Sequence, residues 1–244
     1  MIYYINLDES LERRRLMEEG LNSNGLEYKR IAGVKYSPAH IGCCLSHIQA
    51  ILNAYLDGNE YAIIMEDDID FYDMSRFKEM IPQLTSLAYE WDVIQIHYIE
   101  PSLIKALNSI EPKSNILFKG YFMSCACYLI NRKGMKKFIS FALDNSYNVK
   151  VDLTHPLCRA EELVYRYINS YTTLYPIINT IENKPSTIAN TSIYLSNNYQ
   201  NMIEINKFIN EPRDYTLKLY YELPYDLHWF GDYEKAMEFI KAIV

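Results

Sequence analysis

One stretch, AIIMEDDIDF at residues 62–71, restricts what this chain can fold into more than any other. Its apolar opening, Ala62, Ile63, Ile64 and Met65, is short and rich in branched side chains, which reads as a buried strand of a parallel or mixed sheet. The run stops abruptly at Glu66, Asp67 and Asp68. Carboxylates are too costly to bury unpaired, so these belong at the strand's carboxyl end, where open α/β sheets bind ligands. Glu66 and Asp68 alternate along extended backbone and therefore project to one face. Two converging carboxylates suit a hard divalent cation, Mg2+ or Mn2+, shared with a phosphorylated substrate. The competing reading is a solvated turn or a helix cap.

The rest of the chain supplies the sheet that such a strand needs. Residues 2–7 read as a first strand, and Asp8 or Ser10 caps a helix over 11–21 whose first turn carries Arg13, Arg14 and Arg15. Those arginines read as a solvated face, or as forked donors to a diphosphate beside the first strand's end. A second strand is expected at 28–34. In the helix at 41–57, Leu45, Ile48, Leu52 and Tyr55 recur at helical spacing and Gly58 stops it. His47 in its early turns reads first as a hydrogen-bonded packing residue.

Further on, WDVIQIH at 91–97 and residues 125–130 read as strands, and 132–141 as a helix with Arg132, Lys133, Lys136 and Lys137 outward. Two prolines and weak periodicity make 100–117 a variable loop region. Residues 160–168 read as a helix and 172–178 as a strand with Pro176 near an edge. Residues 179–190 and 196–201 are polar loops, and 232–244 is an amphipathic helix packed on the domain. Alternating strands and helices predict an α/β fold, a mixed and mostly parallel sheet with helices on both faces. No repeat or low-complexity linker interrupts it.

Composition narrows the function classes. At 244 residues and 49% hydrophobic content the chain can bury one large core. A net charge of −7 argues against nucleic acid as the main partner. The five cysteines form no CxxC pair and no zinc spacing, and read as buried thiols in a reducing compartment. The apolar start reaches Asp8 too soon for a signal peptide, and no segment approaches a membrane span. A cytoplasmic protein is expected, with peripheral membrane attachment as the alternative. The 23 tyrosines, beside abundant Ile, Asn and Lys, fit either the compositional bias of an AT-rich genome or stacking on sugar faces.

Six segments in fixed order, INLDESLERR, GCCLSHIQAILNAYLDG, YAIIMEDDIDF, CACYLINRKGMKKF, VDLTH and LYPIINTIENKPST, carry a resemblance to glycosyltransferase family 25. That family includes bacterial lipooligosaccharide β-1,4-galactosyltransferases and collagen galactosyltransferases. The resemblance spans roughly residues 2–190. It implies a GT-A-like nucleotide-sugar-binding domain over 1–190, with a helical and aromatic extension at 191–244 packed on it. It further implies inverting transfer of a hexose, galactose first, from a UDP-sugar to a glycan hydroxyl on a lipooligosaccharide, surface glycan or glycoprotein. Glu66-Asp67-Asp68 stands where GT-A enzymes usually carry an acidic metal motif, and the first position is glutamate here.

On this resemblance Glu66 and Asp68 hold Mn2+ or Mg2+, with His155 as third ligand and His97 or Asp152 as substitutes. Asn6, Leu7, Arg13, Glu66 and Asp67 contact the donor. Asp152 is the general base, with Glu161 and Glu162 as backups, unless Asp152 merely caps a helix at 153–157. Ser186 and Thr187 fall in a matching segment without an assigned step. The basic C-terminal tail of many bacterial members is absent. The alternatives are a glucosyltransferase of the same fold, a catalytically silent carbohydrate-binding protein, and a metal-dependent phosphoesterase.

Overall fold

The computed structural model describes residues 1–72, 74–88, 90–110, 115–155, 158–181, 217–222 and 232–243. In chain order they form β1 (Ile2–Asn6), α1 (Leu11–Ser23), β2 (Tyr28–Ala32), α2 (Ala39–Leu56), β3 (Tyr61–Glu66), β4 (Ile69–Asp70), α3 (Ser75–Thr85) and β5 (Val93–Gln95). Then follow α4 (Pro101–Ile110), β6 (Asn115–Lys119), β7 (Cys127–Asn131), α5 (Arg132–Ala142), α6 (Ala160–Tyr165), β8 (Ser170–Thr173), β9 (Asn179–Thr180), β10 (Leu217–Glu222) and α7 (Tyr233–Ile243).

Eight strands make one mixed sheet in the order β10-β6-β8-β5-β7-β3-β1-β2, and β4 pairs with β9 in a small second sheet. β1 runs parallel to both β2 and β3, and β5 runs parallel to β8. β7 lies antiparallel between β3 and β5. The carboxyl ends of β1, β3 and β5 therefore share one edge with the start of β7, and everything chemical is gathered there.

Side-chain alternation splits the sheet's contacts between two layers. Tyr3, Ile64, Tyr128 and Ile130 face α2, α5 and α6. Ile2, Tyr4, Ile63, Met65 and Leu129 face α1 and α3. α4 and α7 form a third cluster with Tyr98, Phe118 and Tyr175. The expected α/β sandwich with helices on both faces is what the chain forms. Tyr3, Tyr4, Tyr98, Tyr128, Tyr165 and Tyr175 are among the largest fully buried side chains, so much of the tyrosine content is core. Buried phenols retain partners at the layer edges: Tyr3 donates to Asp57 at 2.8 Å and Tyr4 to Glu18 at 2.7 Å. Among the described residues no helix is long and apolar enough to cross a membrane.

Three expectations need correction. The region 100–117 is not a loop: it holds α4 and the start of β6. Pro101 occupies the first helical position, where its missing N–H costs nothing. The Glu100 carboxylate accepts the Ser102 N–H at 3.2 Å, and Leu103, Ile104, Ala106 and Leu107 are buried. The strand expected at 172–178 ends at Thr173, and it is interior, between β5 and β6, with Pro176 beyond it. The basic face of α5 is only partly solvated. Lys137 reaches the buried Asp92 at 2.5 Å, and Arg132 donates to the carbonyls of Tyr55 and Asn59 while covering the Tyr55 ring. Residues 182–190 and 196–201 lie outside the described residues.

The start of α2 sits against the loop that follows β2. A Cβ placed on Gly42 would meet the Val34 carbonyl oxygen at 2.3 Å, so only glycine permits this approach. Val34 is also tied down by its N–H, which donates to Ser46 Oγ at 2.8 Å. Gly42→Ala is expected to cost about 1–3 kcal/mol by overpacking. A urea-denaturation midpoint lowered accordingly, with an unchanged slope, is the expected measurement; an unaltered midpoint would show that the loop yields freely.

Candidate functional site

β3 delivers Glu66 as its last residue, and the chain turns at Asp67 and Asp68 before β4. Each of the three carboxylates meets a different environment. Asp67 is buried and fully engaged: Asn6 Nδ2 donates to Oδ2 at 2.7 Å, and Arg13 Nη1 reaches Oδ1 at 2.5 Å. Asn6 is fixed in turn by Arg30, whose Nε donates to Asn6 Oδ1 at 3.1 Å and whose Nη2 donates to its carbonyl at 3.0 Å. β1, β2 and α1 thus each send one side chain to a single clamp on the acidic turn.

Glu66 faces the other layer. His47 of α2, 1% exposed, lies with Nε2 3.2 Å from Glu66 Oε1 and Nδ1 3.0 Å from the Tyr128 hydroxyl. Burial keeps the Tyr128 phenol protonated. A Tyr128 O–H donated to Nδ1 leaves the Nε2–H to donate to Glu66. Burial works against the charged form of Glu66, yet this bond and the nearby Arg13 guanidinium hold it below its usual range.

Asp68 has the poorest surroundings. Arg13 Nη2 is 3.8 Å from Oδ2, while Oδ1 is buried without a hydrogen-bond partner. Burial first, and repulsion from Glu66 second, push its carboxyl up to about 7. An orphaned carboxylate oxygen beside an ionised glutamate, both hard donors, fits a divalent cation.

A cavity of about 360 Å3 opens against this wall, lined by Asn6, Leu7, Arg13, Tyr36, Glu66 and Asp67 among others. All five residues assigned to the donor from the sequence therefore line one hollow. Cys43, Ser46 and His47 of α2 complete that side. On the far side of Glu66, burial pushes His97 down to about 4 against the pull of Glu66, leaving the ring neutral. His97 Nδ1 lies 2.8 Å from Ser124 Oγ. Ser124 has a φ of 113°, a conformation rare outside glycine. Four further bonds hold it there: its N–H donates to Glu161 Oε1, its Oγ accepts from Ala126 N–H, and its carbonyl accepts from Gln95 and Tyr165; Gln95 also braces Phe122. Such locally costly backbone concentrates at functional sites.

Glu161 is thereby attached to the site, and its charge acts on Cys43. Asp152 is placed differently. It is exposed, and its Oδ1 accepts both the N–H and the Oγ–H of Thr154, at 2.9 and 2.6 Å, which holds it below its usual range. It closes a turn, since no helix forms at 153–155. His155 follows on the same loop, where its carbonyl accepts from Cys158, and its charge acts on Asp152. The imidazoles set against Glu66 are those of His47 and His97. His47 and Tyr128 went unassigned because helical spacing alone gives a histidine no partner; the SH pair of GCCLSHIQ was the available signal.

The raised Asp68 carboxyl has a consequence for stability. The folded state retains a proton on Asp68 up to about pH 7, whereas the unfolded chain releases it near 3.8. Folding is therefore penalised increasingly as pH rises between those values. With chelator present, Asp68→Asn should exceed the wild type in stability by a margin that widens from pH 4 to 7 and reaches roughly 2–4 kcal/mol. Parallel stability profiles for the two proteins would contradict this placement of the proton.

Comparison with known sequences agrees with this geometry. Residues 35–155 match the model of glycosyltransferase family 25 (LPS biosynthesis protein). No curated protein sequence matches the chain. The matched region, just under half of the chain, carries α2 with His47, the acidic turn after β3, the Ser124 turn and the Asp152 loop; over it the chain is similar to glycosyltransferase family 25, and that match supports glycosyltransferase activity.

Proposed function

We propose that the enzyme transfers a hexose, galactose in the first instance, from a UDP-sugar to a hydroxyl of a glycan acceptor with inversion, using Mn2+ or Mg2+ held by Glu66 and Asp68. The observation that carries this reading is the buried, unpartnered Oδ1 of Asp68, two residues from ionised Glu66, which itself lines a nucleotide-sized hollow. Asp67 has no oxygen to spare, being engaged by Asn6 and Arg13. When bound, the cation neutralises the departing diphosphate.

The chain's own groups supply the rest. Arg13 keeps its guanidinium in the cavity wall, braced on Asp67, where its remaining donors meet phosphate oxygens. Leu7 and Ile5 give an apolar wall, and the exposed Tyr36 offers a ring face to the base. A general base should lie beside the reacting groups. Glu161, joined to the Ser124 turn, suits this better than Asp152, whose carboxylate is exposed and stabilised in its charged form by Thr154. The family's description as an LPS biosynthesis protein supports a lipopolysaccharide-type acceptor.

The test is a donor panel, UDP-galactose and UDP-glucose included, scored by UDP release with and without Mn2+. Release should require the metal. Glu66→Gln and Asp68→Asn should each lower kcat/KM by roughly 10^3. Glu161→Gln should lower kcat by about 10^2–10^4 while leaving the KM for donor nearly unchanged. Failure of every UDP-hexose would overturn the donor assignment, and a dead Asp152→Asn with an active Glu161→Gln would return the base to Asp152.

A further inference from the structure

We infer that Cys43, His47 and Glu66 form a second metal site, suited to a thiophilic divalent cation of the Zn2+ class, which shares Glu66 with the acidic turn. The three side chains offer one sulfur, one nitrogen and one oxygen donor, all within 4.8 Å of one another. Cys43 and His47 stand four residues apart on α2, on one face of the helix. All three line the same cavity, so a fourth position faces open space. Three protein ligands plus an open position is the arrangement of an accessible zinc site.

The donor set separates this site from the neighbouring one. Glu66 with Asp68 presents oxygens only and suits Mg2+ or Mn2+. A thiolate and an imidazole favour Zn2+ over those cations. Binding releases the Cys43 thiol proton to solvent. The His47 ring must turn its Nε2 lone pair to the metal and carry its proton on Nδ1. The Tyr128 hydroxyl, 3.0 Å away, serves either tautomer because it can both donate and accept. It then acts as the outer partner that orients a metal-bound imidazole.

Because Glu66 belongs to both sites, Zn2+ here opposes the catalytic cation, and micromolar Zn2+ should inhibit transfer competitively with Mn2+. The site itself does not depend on the sugar or on the nucleotide, so it is tested without them. Titration of the full chain with Co2+ should give tetrahedral visible bands and a near-ultraviolet thiolate-to-cobalt band, saturating at one equivalent and bleached by Zn2+. Cys43→Ser and Cys43→Ala should both lose the thiolate band while melting cooperatively. Tyr128→Phe should weaken Zn2+ by about 10-fold. Asp68→Asn, which removes the hard-cation site, should keep the band, so failure of that site and failure of this one are told apart. Absence of the band in the wild type, or its persistence in both Cys43 variants, would overturn the assignment.

Discussion

The structure is governed by the difficulty of placing Glu66, Asp67 and Asp68 side by side at the end of a buried strand. Three carboxylates in a partly desolvated turn repel one another and lose hydration together. The protein gives each a different remedy. Asp67 receives a guanidinium and an amide, Glu66 receives an imidazole N–H, and Asp68 receives a proton and only the far edge of the Arg13 guanidinium, 3.8 Å away. The remedies are graded, and the weakest one marks where a cation gains most by binding. A uniformly satisfied triad would be more stable and would bind nothing.

Sheet order makes those remedies available from distant parts of the chain. Parallel pairing of β1 with β2 and β3 sets Asn6 beside Ala32 and Ile5 beside Glu66 at one edge, and Arg30, opposite Tyr4, reaches Asn6 with its side chain. The antiparallel insertion of β7 between β3 and β5 brings the Ser124 turn to that same edge, because β7 starts where its neighbours end. Through Ser124, His97 and Glu161 are fixed to a single backbone unit. The unusual φ at Ser124 is held by a dense set of bonds, and one of them, the 3.1 Å bond from its N–H to Oε1, ties Glu161 to the edge of the sheet.

The sequence was legible wherever a period or an abrupt polarity change carries the information. The alternation of β1 and β3, the helical spacing of α2 and the acidic stop after Met65 all survive into the structure. What it concealed are facts about register between elements. That Asp67 would consume Arg13 and Asn6, leaving Asp68 exposed to chemistry, depends on where α1 lies relative to the turn. Cys43 and His47 have no zinc spacing in the one-dimensional sense, since their third donor arrives from β3. Lys137 looked solvated because its partner, Asp92, sits at the start of another strand. The error at α4 is of another kind: a proline read as a breaker is a helix start when a carboxylate precedes it and an apolar stripe follows.

Glu66 then carries two obligations that its geometry keeps distinct. Oε1 is the oxygen engaged by His47, and the second oxygen is left for a cation shared with Asp68 under the proposed function. A carboxylate anchored through one oxygen has fewer orientations to lose when the other binds a cation, so His47 raises the affinity of the hard site without touching its ligand sphere. The same anchoring makes the pair a competitor: a soft cation that replaces the Nε2 proton of His47 takes over the anchoring oxygen and changes the charge on Glu66. On the two sites proposed, selectivity between hard and soft ions at this edge of the sheet turns on which direction the His47 Nε2 faces its partner, and the Tyr128 hydroxyl, 3.0 Å from Nδ1, can serve as donor or acceptor to either arrangement.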